Sequence, residues 1–405
     1  MTGRGLLRLM ACAGPAGLSI ALVWGAVPGI LLALQVQRTV GEDAKVATLA
    51  LVTTVGAIVA MIAQPVAGAV SDRTRSRFGR RAPWIVAGAL TGGTALVAMA
   101  FATSVPAMLA AWCLVHIGYN FAMGPLAALM PDRVPVDKRG RYAAVLGLAS
   151  MCGSLLGQTL GALLEDRITL AYVVLAALTV VTATVLVVLN PDSPSGSMPQ
   201  EPFRSGEFLR ALLPDPRKHP DFFWVFVGRL CTYLSFFLVL GYKLYILQDY
   251  VGLDDAAIDH VPALALAGVA GILPSTLICG PLSDRLGRRK VFVVASAALI
   301  GCAMLVPLAV PTLAGMLVMA FLVGLGFGCF QGVDTALITQ VLPSRSSFAR
   351  DLGVINVAAA LPQAIAPALA AAVVLGLGGY QALFPVAMVC GVLGAAAVLK
   401  VKGVR

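Results

Sequence analysis

The chain has 405 residues, of which 59% are hydrophobic and 12% charged. A soluble domain carries about 25% charged residues, so a water-facing globular fold is excluded. The net charge of +10 is common in nucleic-acid binders, but its distribution along the chain excludes that class as well.

Stretches of about 18 or more apolar residues read as membrane spans. In chain order twelve are expected, at roughly 14–35, 46–68, 83–103, 107–130, 141–163, 169–189, 221–247, 261–282, 290–309, 311–337, 352–375 and 380–399. The fold class is an all-α membrane protein, with an N-terminal six-helix bundle (1–189), a linker (190–220) and a C-terminal six-helix bundle (221–405). The linker is the one long polar stretch and holds seven Pro. Within it Phe203 to Leu213 forms either a short amphipathic helix on the membrane surface or part of a flexible tether. Arg4 and Arg8 before an apolar run mimic a signal peptide. With no apolar stretch ahead of Cys12, an uncleaved first helix is expected instead.

With the N-terminus placed inside, 24 of the 29 Lys and Arg fall in or beside cytoplasmic loops and termini. Arg38, Lys45 and Arg167 lie outside, and Arg229 and Lys243 lie within a span. The positive-inside rule then puts both termini in the cytoplasm, in a cytoplasmic (inner) membrane. The basic excess is topology and contact with anionic lipid, with no nucleic-acid partner. The eight Cys sit in or beside apolar runs without metal-ligand spacing and read as packing residues. No metal and no other cofactor is expected. No Walker, HExxH or paired CxxC motif occurs, so neither an enzyme nor an ATP-driven pump is indicated.

One motif occurs twice. Gly68 opens GAVSDRTRSRFGRR and Gly280 opens GPLSDRLGRR. Gly68, Asp72 and Arg73 match Gly280, Asp284 and Arg285 at an offset of 212, while Gly79, Arg80 and Arg81 match Gly287, Arg288 and Arg289 at 208. The first copy therefore carries four extra residues. The 208 offset continues downstream, aligning Ala128 to Pro135 with Ala336 to Pro343. A repeat of half the chain implies two homologous bundles. Gly68 and Gly280 would allow close helix approach at the inner boundary.

A Gly-x-x-x-Asp-Arg…Gly-Arg-Arg loop between the second and third spans of each half resembles the major facilitator superfamily. The resemblance implies a monomeric secondary transporter whose halves rock about a central site. It gives Gly68, Asp72, Arg73, Gly79, Arg80, Arg81, Gly280, Asp284, Arg285 and Arg289 a gating role. Asp72 would contact the facing half when the cytoplasmic side is closed; the alternative for the arginines is topology alone. The first copy, with Tyr245 to Tyr250 and with Leu352 to Asn356 and Leu361 to Gln363, is similar to the glycoside–pentoside–hexuronide and sucrose–proton symporter branch. The second and fourth spans contain no Asp or Glu. That departs from the sodium-coupled members of the branch, because a hard cation needs several oxygens.

Ionisable residues inside spans are costly and mark function. Asp334 and Arg229 lie at matched depth, about 10 and 12 Å from the inner face at 1.5 Å per residue. They are expected to form a buried pair that couples transport to protons, with His116 as a further candidate. Trp24, Gln64, Tyr119, Asn120, Gln158, Tyr233, Gln331, Asn356 and Gln363 are the mid-depth polar residues, on spans that line the cavity in this family. They are candidate contacts for an uncharged, sugar-like solute, or interhelical glue. Proton-coupled sugar symport is the leading expectation. Export of a lipophilic compound by proton antiport and lipid translocation are the alternatives.

Overall fold

The computed structural model describes residues 3–196, 220–341 and 348–402; side chains at 335, 336 and 339–356 lie outside that description. So do the Phe203 to Leu213 segment and the side chain of Asn356. The chain divides into two compact units, Met1–Glu201 and Pro202–Arg405. Among the described residues there is no strand, and twelve helices have fifteen residues or more. In the first unit these are α1 (Gly3–Ala26), α2 (Leu32–Arg73), α3 (Ala82–Ala100), α4 (Val105–Arg133), α5 (Arg139–Leu163) and α6 (Ile168–Leu189). In the second they are α7 (Pro220–Leu240), α8 (Ala257–Leu286), α9 (Arg289–Ala303), α10 (Leu313–Val341), α11 (Phe348–Gly376) and α12 (Leu383–Leu399).

The loop expected between the first two spans is a kink. Arg4 to Arg73 runs as 70 helical residues, about 105 Å at 1.5 Å per residue against a hydrocarbon core of about 30 Å. The run must therefore cross twice. It turns at Gly41, whose φ of 75° and ψ of −175° belong to a region that only glycine occupies without strain. A π turn, Val27–Leu31, precedes it. Pro28 sits there and has no N–H for a regular ladder. The seventh span is shorter than the expected 221–247. α7 stops at Leu240, and Lys243–Tyr245 and a π turn, Ile246–Tyr250, follow. Tyr245 to Tyr250 thus forms the irregular end of that span.

Helix packing repeats between the units. In the first, α1 packs on α5 and α6, α4 on α2 and α3, and α3 on α6. In the second, α7 packs on α11 and α12, α10 on α8 and α9, and α9 on α12. Adding six to each helix number of the first set gives the second, so the sequence repeat is a repeat of structure. Glycine makes the closest approaches, as at α5, where a Cβ on Gly157 would lie 2.2 Å from Leu22 O. Gly68 does not do this. A Cβ there meets nothing within 4 Å, and at Gly280 the nearest atom is 3.5 Å away, an ordinary contact. The expectation of close approach at these two glycines is therefore corrected. The tight packing lies deeper, where small side chains let helix backbones touch.

Candidate functional site

In the second unit, α7 offers Arg229, Tyr233, Phe236 and Phe237, which share one helical face at spacings of four and seven. α10 offers Phe327, Phe330 and Asp334 in the same manner. The two faces meet through aromatic contacts. Phe236 stacks on Phe327 with centroids 4.2 Å apart, and Tyr233 meets Phe327 and Phe330 edge-on at 5.5 and 5.9 Å. This packing sets the register that brings Arg229 Nη1 to Asp334 Oδ2 as an ion pair, with side chains 11% and 4% exposed. The guanidinium also lies 5.3 Å from the Tyr233 ring centroid, a cation–π distance. Arg229 Nε is enclosed without a hydrogen-bond partner. A buried pair breaks even only when further hydrogen bonds complete it, so this one holds an unspent donor.

Among its described residues the first unit has an aromatic cluster and no charge at its centre. Trp24 of α1 lies against three residues of α4: Trp112 (6.0 Å), His116 (4.9 Å) and Tyr119 (6.3 Å). The α4 residues are spaced by four and three, again one face. Gly56 of α2 makes the room, since a Cβ there would lie 2.4 Å from Trp112 Nε1 and 2.8 Å from His116 Cδ2. Trp112 Nε1 and His116 Nδ1 are enclosed without partners, while Trp24 Nε1 points to Met123 Sδ at 3.4 Å. Tyr119 is fully buried and its hydroxyl shares a hydrogen bond with Thr179 Oγ1 at 2.9 Å. It is a wall of the cluster, which corrects the expectation that Tyr119 itself contacts the solute.

The other mid-depth polar residues do not gather with these. Gln64, Gln331 and Gln363 are exposed. Asn120 Nδ2 donates to His116 O at 2.8 Å and Gln158 Nε2 to Ser154 O at 3.4 Å, each on its own helix. Trp112 and Gly56 belong to the cluster and gave no signal in the sequence, one being a single aromatic and the other a single glycine in apolar runs. Gln35 was also missed. It donates to Met99 O and Ala102 O at 2.7 and 3.1 Å and accepts from Tyr172 Oη at 2.9 Å, locking three helix ends together. Among the described residues no three of His, Cys, Asp or Glu come together as a metal site.

The two basic loops begin alike. Asp72 Oδ1 pairs with Arg81 Nη2 at 2.6 Å, and the repeat-related Asp284 Oδ1 pairs with Arg289 Nη2 at 2.6 Å. Both loops turn at a left-handed glycine, Gly79 (φ 85°) and Gly287 (φ 61°). Among the described residues the first loop shows further partners. Arg81 Nε donates to Asp132 Oδ2 at 2.8 Å and Nη1 to Ser71 Oγ at 2.9 Å, while Arg80 holds Asp132 Oδ1 at 2.5 Å. Burial disfavours the charged guanidinium of Arg81. The bonds and charge of Asp132 and then Asp72 outweigh it and hold the group above its ordinary value. The backbone of Arg81 donates to Asp192 Oδ2 at 3.1 Å. Buried Ser195 donates from Oγ to Thr74 O at 3.0 Å and accepts there from Ser76 N at 3.1 Å. Residues 190–196, counted from sequence with the linker, therefore dock on the first loop. Arg73, Arg80 and Arg285 are at least partly exposed at the loop surfaces.

The family model of the Major Facilitator Superfamily matches residues 9–346 and 225–404. Three solved structures share the fold. One is the nucleoside transporter NupG, at TM-score 0.77 and 15% identity, covering 97% of this chain and 99% of that one. Another is the peptide transporter POT in complex with sulfate, at TM-score 0.77 and 15% identity, covering 98% and 94%. The third is a bacterial homologue of the human lysosomal transporter Spinster in an inward-facing, occupied conformation, at TM-score 0.71 and 15% identity, covering 97% and 95%. Twelve repeat-related helices and a family match over more than half the length agree: this multi-pass membrane chain belongs to the major facilitator superfamily, a family of transporters.

Proposed function

We propose that this chain is a proton-coupled secondary transporter of an uncharged polar solute with sugar- or glycoside-like chemistry, working by alternating access in the cytoplasmic membrane. The observation that carries the reading is the buried Arg229–Asp334 pair. It is the described buried acid–base pair set between helices of one unit, away from the basic loops. If solute or a proton draws Arg229 away, Asp334 is left desolvated and takes up a proton, which links occupancy to protonation. Solved relatives by fold include nucleoside and peptide transporters, so the cargo class rests on the residues. The described centre of the first unit is aromatic and uncharged, which suits a neutral solute. Asp72 is proposed to stabilise the outward-facing state, with Arg81 holding its carboxylate.

The test is uptake into proteoliposomes under an imposed pH gradient, against sugars, glycosides and lipophilic cations. Gradient-driven accumulation of a neutral glycoside is expected. Asp334→Asn abolishes accumulation and keeps part of the solute exchange. Full concentrative uptake by Asp334→Asn removes the coupling role, and uptake of lipophilic cations alone removes the solute class.

A further inference from the structure

We propose that Trp24, His116 and Trp112 form a recognition platform for a flat ring on the solute, so that the cargo is a neutral compound joining an unsaturated or aromatic ring to a hydroxylated part. This rests on the reading of the chain as a carrier of an uncharged polar solute, and narrows it. Three observations converge. Among the four rings, Trp112, His116 and Tyr119 are buried, and Trp24 alone retains exposure. The accessible aromatic surface of the cluster is therefore the Trp24 indole. Its position is held from beneath by the His116 imidazole, tilted 37° and 4.9 Å away, and by the Trp112 and Tyr119 edges at 76° and 74°. An indole braced on that many sides loses little freedom when a second ring stacks on it.

The second observation is polar. His116 is about nine-tenths buried, and its Nδ1 is enclosed without a hydrogen-bond partner. A neutral imidazole has one donor and one acceptor, and buried polar groups in folded proteins are normally satisfied. A packing-only role is better served by an apolar ring of the same size. Nδ1 is closed off from any solute, so a hydrogen bond to the rim of whatever stacks there falls to Nε2, the ring nitrogen that is not enclosed. The third observation is the space itself. Gly56 leaves room that a methyl group would fill, with contacts of 2.4 and 2.8 Å to Trp112 and His116. The helix backbone of α2 is thereby brought against both rings and sets their positions.

The ligand that fits has a flat π face for Trp24, hydrogen-bonding atoms at its rim for His116 and no net charge. A simple disaccharide has hydroxyls on puckered, saturated rings without the flat face. A lipophilic cation has the face without a rim acceptor or donor.

The experiment uses the full-length protein in nanodiscs, titrated with phenyl β-glucoside, adenosine and uridine as flat-ring probes. Methyl β-glucoside, sucrose and tetraphenylphosphonium are the comparators, and binding is read by intrinsic tryptophan fluorescence and calorimetry. At least one flat-ring probe is expected to bind saturably, at least tenfold more tightly than methyl β-glucoside. Trp24→Leu removes that preference, Gly56→Ala weakens it, and Trp84→Phe, at the start of α3 where the indole donates to Thr74 Oγ1, leaves it intact. His116→Gln, which keeps a hydrogen-bonding side chain, retains more affinity than His116→Leu. Trp24→Phe keeps a ring at the site should Trp24→Leu fail to fold, and still lowers affinity. Equal binding of the flat-ring probes and the saturated-ring sugars overturns the platform, as does unchanged preference in Trp24→Leu. Gradient-driven uptake that is indifferent to Trp24 and His116 sinks the platform and leaves the transporter reading standing. Absence of uptake with any solute sinks the transporter reading instead.

Discussion

α4 and α10 are the same helix in two copies, and they carry their acids at different heights. The 208 offset sets Leu126 opposite Asp334 and Asp132 opposite Gln340. The acid has moved by six residues, about 9 Å along a helix. In the second unit it lies inside the bundle, where Arg229 meets it. In the first it lies at the helix end, where Arg80 and Arg81 meet it. Each unit thus buries a guanidinium beside a carboxylate, the first at its basic loop and the second at its centre. The loop hub of the first unit is joined by Asp72, Ser71 and the linker root. In the second unit's loop pair the arginine is more open, Arg289 being 25% exposed against 6% for Arg81, while Asp284 and Asp72 are alike at 59% and 58%. A charge buried among many fixed partners holds a shape. A charge buried with one carboxylate and an unused Nε–H is poised to exchange partners. The difference fits a rigid first loop and the coupling role proposed for the centre of the second unit.

The sharpest way to break this comparison is to strand one charge of the central pair. Arg229→Leu leaves Asp334 buried without its base and is expected to lower stability by about 3–5 kcal/mol. Arg229→Leu combined with Asp334→Leu removes both charges and recovers most of the loss. Thermal unfolding reported by a thiol-reactive dye suits the molecule, because its eight cysteines are free of disulfides and all but Cys152 and Cys302 are at least partly buried. Equal destabilisation of the single and double variants would show that packing, not pairing, sets the cost.

A smaller effect compares the two loops directly. Arg81→Ala releases two carboxylates and a serine hydroxyl from a side chain only 6% exposed, and is expected to cost about 2–3 kcal/mol, in the range of hydrogen bonds to charged groups. Arg289→Ala acts on a pair that faces solvent and costs less than about 1 kcal/mol. The same unfolding measurement decides it. Equal shifts would mean that the extra partners of Arg81 add nothing.

Much of this was legible in the sequence, for identifiable reasons. Twelve spans follow from apolar run length, and the doubled loop fixes the repeat. Arg229 and Asp334 stood out because ionisable residues are rare inside apolar runs. The Trp24 cluster was half visible. Trp24, His116 and Tyr119 are polar-tipped residues in apolar helices, whereas Trp112 and Gly56 are unremarkable until the helices pack. Gly41 was read inside a loop because a polar stretch around one glycine resembles a turn. The docking of Ser195 on Thr74 and Ser76 left no signature at all, since hydrogen bonds to main-chain atoms place little demand on the partner residue.

That docking supplies the finest test of the comparison. The four residues by which the first loop exceeds the second lie between Arg73 and Gly79, in the part that receives the linker root. Ser195 Oγ accepts from the Ser76 amide at 3.1 Å, and the Ser195 amide donates to Ser76 O at 3.1 Å. Ser195→Ala removes the acceptor and leaves the main-chain bond. It also removes the donor to Thr74 O; a neutral hydrogen bond contributes about 1 kcal/mol, so global stability falls by about 1–2 kcal/mol. The local consequence is larger and specific: the Ser76 amide loses its acceptor and exchanges hydrogen several-fold faster, while amides of the Gly280 to Arg289 loop keep their wild-type rates. Hydrogen exchange read by mass spectrometry on peptides from the two loops resolves this. Faster exchange confined to the first loop means that the extra residues exist to hold the linker root. Unchanged exchange there would leave the inserted residues as length without function, and the first loop no more rigid than the second.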